Sequence, residues 1–115
     1  MGELTGIARF TFHEGRADDF KRLSARCMEV VRAQDTGTLQ YDIHLDEDET
    51  SAVVIERYTG EAALAEHLEH LGPELMAEIT STADVEGELL GDVSPELRER
   101  MAGGPVRLLA PYLSL

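Results

Sequence analysis

Apolar residues recur along the chain with two distinct spacings, which predict an alternation of strands and helices. Residues 4–12 are rich in β-branched and aromatic side chains, contain no proline and predict a strand. Across residues 16–33 the apolar positions instead return at helical spacing. These positions are Ala17, Phe20, Leu23, Cys27, Val30 and Val31. The first third of the chain therefore predicts a strand followed by a long amphipathic helix.

The middle of the chain has the pattern of a β-hairpin that leads into a second helix. Residues 39–45 alternate apolar and polar side chains, the acidic run at 46–49 predicts a turn, and residues 52–58 predict the antiparallel partner. Thr59 is the expected N-cap of the next helix, which carries an apolar stripe. The stripe consists of Leu64, Leu68 and Leu71. Gly72 and Pro73 interrupt the helix, and Pro73 is expected to start a second short one.

The last third predicts a fourth strand, a short helix and an apolar tail. Residues 82–93 alternate in polarity, with Gly87 and Gly91 as points of weakness. Ser94 followed by Pro95 is a strong start for a helix. After that helix the sequence GGP precedes VRLLAPYLSL, a strongly apolar tail.

The element order predicts an α+β fold of the ferredoxin-like βαββαβ type, with a four-stranded antiparallel sheet and a C-terminal helix and tail. Helices on one side of such a sheet leave its other face bare. Ile7, Val53 and Ile55 make that face partly apolar, and a bare apolar face is normally covered by a partner. The sequence therefore predicts one domain over residues 1–115 that forms a homodimer by packing sheet against sheet.

Composition narrows the function classes. The formal net charge of −13 argues against nucleic acid and anionic membrane surfaces as partners. No apolar run is long enough to span a bilayer, the N-terminus lacks the features of a signal peptide, and Cys27 is the single cysteine, so a cytoplasmic location is expected. No glycine-rich phosphate loop or dinucleotide fingerprint is present, although a flavin bound without a motif stays open.

The stretch GTLQYDIHLDEDETSAVVIERYTGEAALAEHL resembles the central signature of the antibiotic biosynthesis monooxygenase family, whose members are dimeric α/β-barrel proteins. The matching positions are Gly37, Leu39, Tyr41, Glu56, Tyr58, Ala63, Leu64 and His67. The segment GDVSPELRERM is similar to extensions found on some members, so residues 93–115 are expected to form an extension of the domain. The resemblance covers most of the chain, and its motif is mainly structural.

The family resemblance implies more than one activity. Some members are cofactor-independent monooxygenases that oxidise anthrones or quinols with molecular oxygen, and this is the leading expectation, with no cofactor. Haem-degrading relatives carry Asn and Trp at the second helix, and this chain has neither there, which disfavours haem degradation. The alternative is a non-catalytic dimeric barrel that binds a small aromatic or apolar ligand or a protein partner.

The expected site lies where the second hairpin strand leads into the second helix. His67 falls on or beside the apolar stripe, where a neutral imidazole would act as the base. Tyr41 and Tyr58 are expected to hydrogen-bond the substrate, and Arg57 to stabilise the developing anion. In the alternative interpretation, His67 packs against the sheet and bonds a tyrosine or a backbone carbonyl.

The remaining polar residues have plainer explanations. Glu56 is expected to be architectural, either paired with Arg57 or Arg9 or bonded to a neighbouring backbone group. Leu64 is a further structural residue. His67 and His70 have helical spacing but no third ligand at a fixed distance, so no metal is expected. Cys27 is expected to be a buried, unreactive thiol.

Overall fold

Five strands and three helices make up the computed structural model, which describes residues 2–115. In chain order they are β1 (Leu4–Phe12), α1 (Ala17–Gln34), β2 (Thr38–Leu45), β3 (Ser51–Tyr58), α2 (Glu61–Thr80), β4 (Ala83–Leu90), α3 (Pro95–Met101) and β5 (Val106–Leu109). The strands form one sheet in the order β2-β3-β1-β4-β5. The pairs β1–β3, β1–β4 and β2–β3 are antiparallel. The predicted α+β, ferredoxin-like βαββαβ arrangement is confirmed.

The core lies between one face of the sheet and the helices α1 and α2. Strand alternation turns Phe10 of β1 and Val54 of β3 toward the helices. Phe10 meets Phe20 of α1 with ring centroids 5.0 Å apart. The buried cluster on this face comprises Phe10, Phe20, Leu23, Cys27, Ala52, Val54, Leu71, Leu75, Ile79 and Ala83. The helical spacing found in the sequence is therefore the spacing of the buried positions of α1.

Helix α2 bends at the position that the sequence indicated. Gly72 has φ +78°, a conformation that favours glycine, and Pro73 begins the second half of the helix. The predicted N-cap at Thr59 is wrong, because Gly60 is the N-cap and no side chain caps the helix. Thr59 instead donates its backbone N–H to the Gly37 carbonyl at 2.9 Å, which ties it to the loop before β2. Among residues 2–115, no helix has the length and apolarity needed to cross a membrane.

One residue breaks the clean alternation predicted for β2. Thr38 pairs with Tyr58, and Gln40 pairs with Arg57, so the ladder shifts register between them. Leu39 is the extra residue of this irregularity and is 46% exposed. Because of the shift, Thr38 and Tyr41 lie opposite Tyr58 and Glu56, residues that turn toward the helices.

The C-terminal extension differs most from prediction. Helix α3 is confirmed, with the Ser94 hydroxyl accepting from the Leu97 N–H at 3.1 Å. The segment after it was expected to be a tail, but residues 106–109 form β5, which pairs with β4 in parallel. The sheet is therefore mixed and not purely antiparallel. Beyond β5, the exposed apolar residues are Tyr112, Leu113 and Leu115.

Candidate active site

The imidazole of His67 is buried inside the protein and held by a carboxylate. Its side chain is 2% exposed, and so is that of Asp35 at the end of α1. His67 Nδ1 lies 2.8 Å from Asp35 Oδ2. An ionised carboxylate only accepts hydrogen bonds, so the imidazole carries its proton on Nδ1. Nε2 of a neutral His67 is then left with its lone pair.

Asp35 is shared by several donors. His70, one helical turn after His67, places Nδ1 2.6 Å from Asp35 Oδ1. The Thr38 hydroxyl donates to Asp35 Oδ2 at 2.7 Å. Burial raises the pKa of the Asp35 carboxyl, but the hydrogen bonds from His70, Thr38 and His67 lower it by more, so the net pKa is below the usual value. Asp35 is therefore the anion around which the histidines are arranged.

On its other side, His67 faces a glutamate and two tyrosines. Nε2 lies 3.6 Å from Glu56 Oε1, which is too long for a hydrogen bond, and the Tyr58 hydroxyl donates to that same oxygen. The rings of Tyr41 and Tyr58 lie 5.4 and 5.3 Å from the His67 ring. Burial raises the pKa of Glu56 by more than Tyr58 and His67 lower it. Burial, reinforced by the nearby Glu56 carboxylate, also raises the pKa of both tyrosines, so they stay neutral phenols.

These side chains line one part of a large cavity between the sheet and the helices. The cavity measures about 1030 Å³. Most of its walls are apolar, and its polar groups include His67, Glu56, Tyr41 and Tyr58. A roomy apolar pocket with a few convergent polar groups is the usual form of a small-molecule site. The arrangement can move a proton at His67 Nε2 while it holds an apolar molecule away from water.

Comparison with known proteins agrees with this architecture. The sequence profile of the family described as antibiotic biosynthesis monooxygenase matches residues 4–72. The chain belongs to this family. The matched segment runs from β1 to the bend of α2, so it contains Asp35, Glu56 and His67.

Several solved structures share the fold of this antibiotic biosynthesis monooxygenase family member. MupZ from Pseudomonas fluorescens has a TM-score of 0.85 at 20% identity, with 100% of this chain and 94% of that chain covered. PA3566 from Pseudomonas aeruginosa has a TM-score of 0.66 at 28% identity, with coverages of 82% and 97%. SnoaB, a cofactor-independent oxygenase from Streptomyces nogalater, has a TM-score of 0.65 at 22% identity, with coverages of 82% and 96%. A search of curated protein sequences gave no significant match.

Not all of the residues singled out in the sequence meet in the cavity. His67, Tyr41, Tyr58, Glu56 and Leu64 line it. Arg57 does not, because strand alternation turns it to the other face of the sheet. There its guanidinium donates to Gln40 and to Glu3, each at 3.1 Å.

The expected pairing of Glu56 with an arginine is wrong for the same reason. Arg57 is its neighbour in β3 and points away from it, and Arg9 pairs with Glu88. Glu56 instead accepts from Tyr58 inside the cavity. Cys27 is buried as expected, and burial raises the pKa of its thiol.

Asp35 is the site residue that sequence reasoning missed. It lies just beyond the helical period of residues 16–33, where a polar residue is typical of a helix end. A carboxylate at the C-terminal end of a helix is disfavoured by the helix dipole, which favours positive charge there. An aspartate in that position was the available signal that hydrogen-bond donors from elsewhere in the fold would have to reach it.

One group of side chains in residues 2–115 has the composition of a metal site. Ligand atoms of Asp35, Glu66 and His70 all lie within 4.8 Å of one another. All three residues already bond within the protein: His70 to Asp35, and Glu66 to the backbone N–H and hydroxyl of Thr36. The protein's own donors therefore account for this cluster.

Proposed function

We propose that this protein is a cofactor-independent monooxygenase that oxidises a quinol, an anthrone or a related polycyclic phenol with molecular oxygen. The observation that carries the proposal is the position of His67. Asp35 holds its Nδ1, and Nε2 faces an apolar cavity large enough for a polycyclic molecule. Membership of a family described as monooxygenases supports the reaction class.

His67 is the base in this proposal. Neutral imidazole accepts a proton near neutral pH, and a neighbouring carboxylate stabilises the imidazolium that forms. Asp35 supplies that carboxylate at 2.8 Å and also fixes which nitrogen is free. Asp35 is thus a positioning residue, because it acts on the substrate only through His67.

The substrate supplies the electrons. His67 Nε2 takes a proton from an anthrone, whose anion gives an electron to oxygen; the resulting radical and superoxide then combine through a carbon–oxygen bond. Return of a proton gives a hydroperoxide, which loses water and leaves a carbonyl. In sum, a CH₂ group and O₂ become C=O and H₂O, so one oxygen atom enters the product and the other becomes water.

The tyrosines orient the substrate. Because their pKa values are raised, Tyr41 and Tyr58 keep their protons and present hydroxyl groups to the cavity. A neutral phenol that donates a hydrogen bond stabilises an oxygen anion as it develops. That role falls to Tyr41, because Tyr58 already donates its O–H to Glu56 and offers the substrate only an acceptor oxygen. Glu56 orients Tyr58 by accepting a hydrogen bond from its hydroxyl, and Leu64 forms part of the apolar wall.

The alternative is a barrel that binds an apolar ligand without chemistry. That function would be favoured if Leu64, Leu68 and the C-terminal tail filled the cleft. The cavity is open, and the tail residues Tyr112 and Leu113 are exposed. Convergence of His67 with two tyrosines on a cavity that the side chains of the protein do not fill supports the enzyme over the binding protein.

Oxygen uptake by metal-free protein tests the proposal. Wild type, His67→Ala and His13→Ala are compared on a panel of anthrones and hydroquinones. Since general base catalysis contributes about 10²- to 10⁴-fold, we expect His67→Ala to lower kcat by that order. His13 is exposed in the turn after β1 and does not line the cavity, so its variant should keep wild-type turnover. Equal rates in all three proteins would refute His67 as the base.

We also propose that two copies pack sheet against sheet. The face turned away from the helices carries Ile7 and Ile55 as a cross-strand pair, with Val53 beside them. All three are only partly buried in the single chain. The exposed apolar residues after β5 add to the surface that a second copy would cover.

A further inference from the structure

One row of residues crosses the cavity floor from β2 to β5. The pairing registers place Tyr41, Glu56, Gly6, Leu89 and Leu108 side by side on the five strands. The first two belong to the polar part of the cavity. At roughly 4.8 Å between neighbouring strands, the row extends from Glu56 to β5 over about 14 Å. The floor is therefore longer than the group of residues proposed for the reaction.

The middle of this floor is a trough. In the adjacent row, Ile43, Val54, Ala8, Gly87 and Val106 stand side by side. Gly6, Ala8 and Gly87 are thus adjacent small residues on β1 and β4. At Gly6 an added Cβ would lie 3.8 Å from the Glu56 Cβ and 4.0 Å from Leu89, which is ordinary contact. Neither backbone nor neighbours require glycine there, so its contribution is open space beside Glu56.

Helix α3 lies along the far part of the cavity. Leu97 and Met101 line the cavity, and the chain returns from α3 to β4 where Gly87 donates its N–H to the Pro105 carbonyl at 3.2 Å. Arg100 lines the cavity as well. Of the ten Lys and Arg residues, Arg100 alone lines the cavity.

Arg100 is not engaged by an acid of the chain. Within residues 2–115, the ion pairs closer than 4.0 Å involve Arg9, Arg16, Lys21, Arg22 and Arg57. In a protein with 23 acidic residues, an arginine beside an apolar cavity and without an acidic partner is an available anion-binding group.

The acids around the cavity do not cancel this positive charge. Five glutamates line it, and three of them already accept protein hydrogen bonds. These are Glu56 from Tyr58, Glu61 from Ser94 and Glu88 from Arg9. The other two, Glu69 and Glu96, are exposed, as Arg100 is, and neither forms an ion pair with it among residues 2–115.

We propose that the substrate is an elongated apolar acid. Its reacting ring lies at His67 and Glu56, its body lies in the trough at Gly6, and its carboxylate is bound by Arg100 of α3. The proposal rests on the proposed oxygenase for the identity of the reacting end, whereas the acid-binding end stands on Arg100 and the trough. The extension after β4 is thereby part of the substrate site.

Equilibrium dialysis with two matched probes tests the acid-binding end without any turnover. Anthraquinone-2-carboxylate and its neutral carboxamide share one ring system and differ in charge. We expect wild type to prefer the carboxylate by about tenfold, as a charge-assisted contact with arginine would give. Arg100→Gln should abolish that preference and leave carboxamide binding unchanged, which also shows that the variant is folded.

Arg98→Gln is the control, since it removes the same charge from the same helix at a residue that does not line the cavity. It should keep the preference for the carboxylate. If Arg100→Gln and Arg98→Gln lose the carboxylate preference equally, the preference comes from the overall charge of α3 and not from a contact with Arg100. That result would overturn the proposal. So would a wild-type protein that binds neither probe, or that binds both equally.

A second variant tests the trough. Gly6→Val places two methyl groups beside Glu56, where the single Cβ already makes ordinary contacts. The variant should fold and should weaken binding of both probes by about tenfold or more; unchanged binding would show that the trough is not occupied. A carboxylate preference without oxygen uptake would refute the oxygenase and keep the acid site. Oxygen uptake without the preference for the carboxylate would refute the acid site and keep the oxygenase.

Discussion

Two carboxyl groups flank His67, and their pKa values move in opposite directions. Asp35 receives three side-chain hydrogen bonds, which outweigh its burial and lower its pKa. Glu56 is buried with fewer donors, and its pKa is raised. The two pKa shifts differ because the carboxyl groups have different neighbours, since the pKa values of Asp and Glu in water are similar. The folded protein therefore stabilises the ionised form of Asp35, whereas ionised Glu56 destabilises the folded protein.

The raised pKa of Glu56 predicts that the difference in stability between wild type and Glu56→Gln depends on pH. A raised folded pKa favours folding below the unfolded value of about 4.3, and this contribution is lost as pH rises through the folded pKa. Gln cannot ionise, and it still offers an oxygen to Tyr58. Relative to wild type, the unfolding free energy of Glu56→Gln should therefore increase as the pH rises from 4 to 8.

Urea unfolding of both proteins at several pH values measures that gain. The matched control is Glu86→Gln, because Glu86 is exposed on β4 and its replacement removes the same charge. Its difference from wild type should stay nearly constant with pH. A Glu56→Gln difference that is equally flat would contradict the assignment of Glu56 as a destabilising buried acid.

At the scale of elements, α3 depends on a few polar contacts. None of its residues is buried. Ser94 holds its start in two ways, by accepting from the Leu97 N–H and by donating its hydroxyl to Glu61 of α2. The Ser94 N–H also donates to Glu61. The side of the cavity that carries Arg100 is therefore attached to α2 through one serine.

Ser94→Ala should loosen α3 and leave the rest of the fold intact. Loss of an N-cap costs about 1 kcal/mol, which corresponds to roughly fivefold faster exchange of amides that open locally. Hydrogen exchange by mass spectrometry should show this increase in residues 95–101. The β1 amides serve as the internal reference, and their exchange should not change. Faster exchange in both regions would indicate global destabilisation instead.

Element prediction succeeded where a local signal was strong. The apolar period of α1 and the Ser94–Pro95 start of α3 predicted those helices because each depends on neighbours within a turn or two. Strand β5 was missed because its four residues, Val106–Leu109, are too few to show a distinctive period. The segment is a strand because it pairs with the free edge of β4. Most of the other strands of the sheet lie far from β5 in the sequence.

At the scale of the whole molecule, the uncovered sheet face predicts a dimer. A lysine at Ile55 would place a charge at the centre of the proposed interface, beside Ile7. We expect Ile55→Lys to sediment as a monomer at concentrations where wild type is a dimer. Gln34→Lys is the control, because Gln34 is exposed at the end of α1 and the substitution adds the same charge.

Sedimentation velocity at several protein concentrations decides this prediction. A monomeric wild type would refute the sheet-to-sheet dimer. A dimer that persists in Ile55→Lys would place the contact elsewhere, with the exposed residues after β5 as the surface to test next.

The sequence by itself determined the family, the order of the first seven elements and the part of the chain that contains His67. The family follows from the resemblance of the motif between Gly37 and His67. The element order follows from the spacing of apolar residues and from local start and stop signals, which act over a few residues. The same spacing placed Tyr41 and Tyr58 on strands, since alternation is a property of the strand itself.

Only the tertiary structure decided which polar groups meet. Asp35 and His67 are 32 residues apart, and the packing of α1 against α2 brings them to 2.8 Å. The register of β3 turned Glu56 into the cavity and Arg57 out of it, which the sequence could not assign without knowing which face the helices cover. Arg100 reaches the cavity only because β5 pairs with β4 and returns the chain across it. Such contacts depend on the whole chain, because they join segments that no local pattern connects.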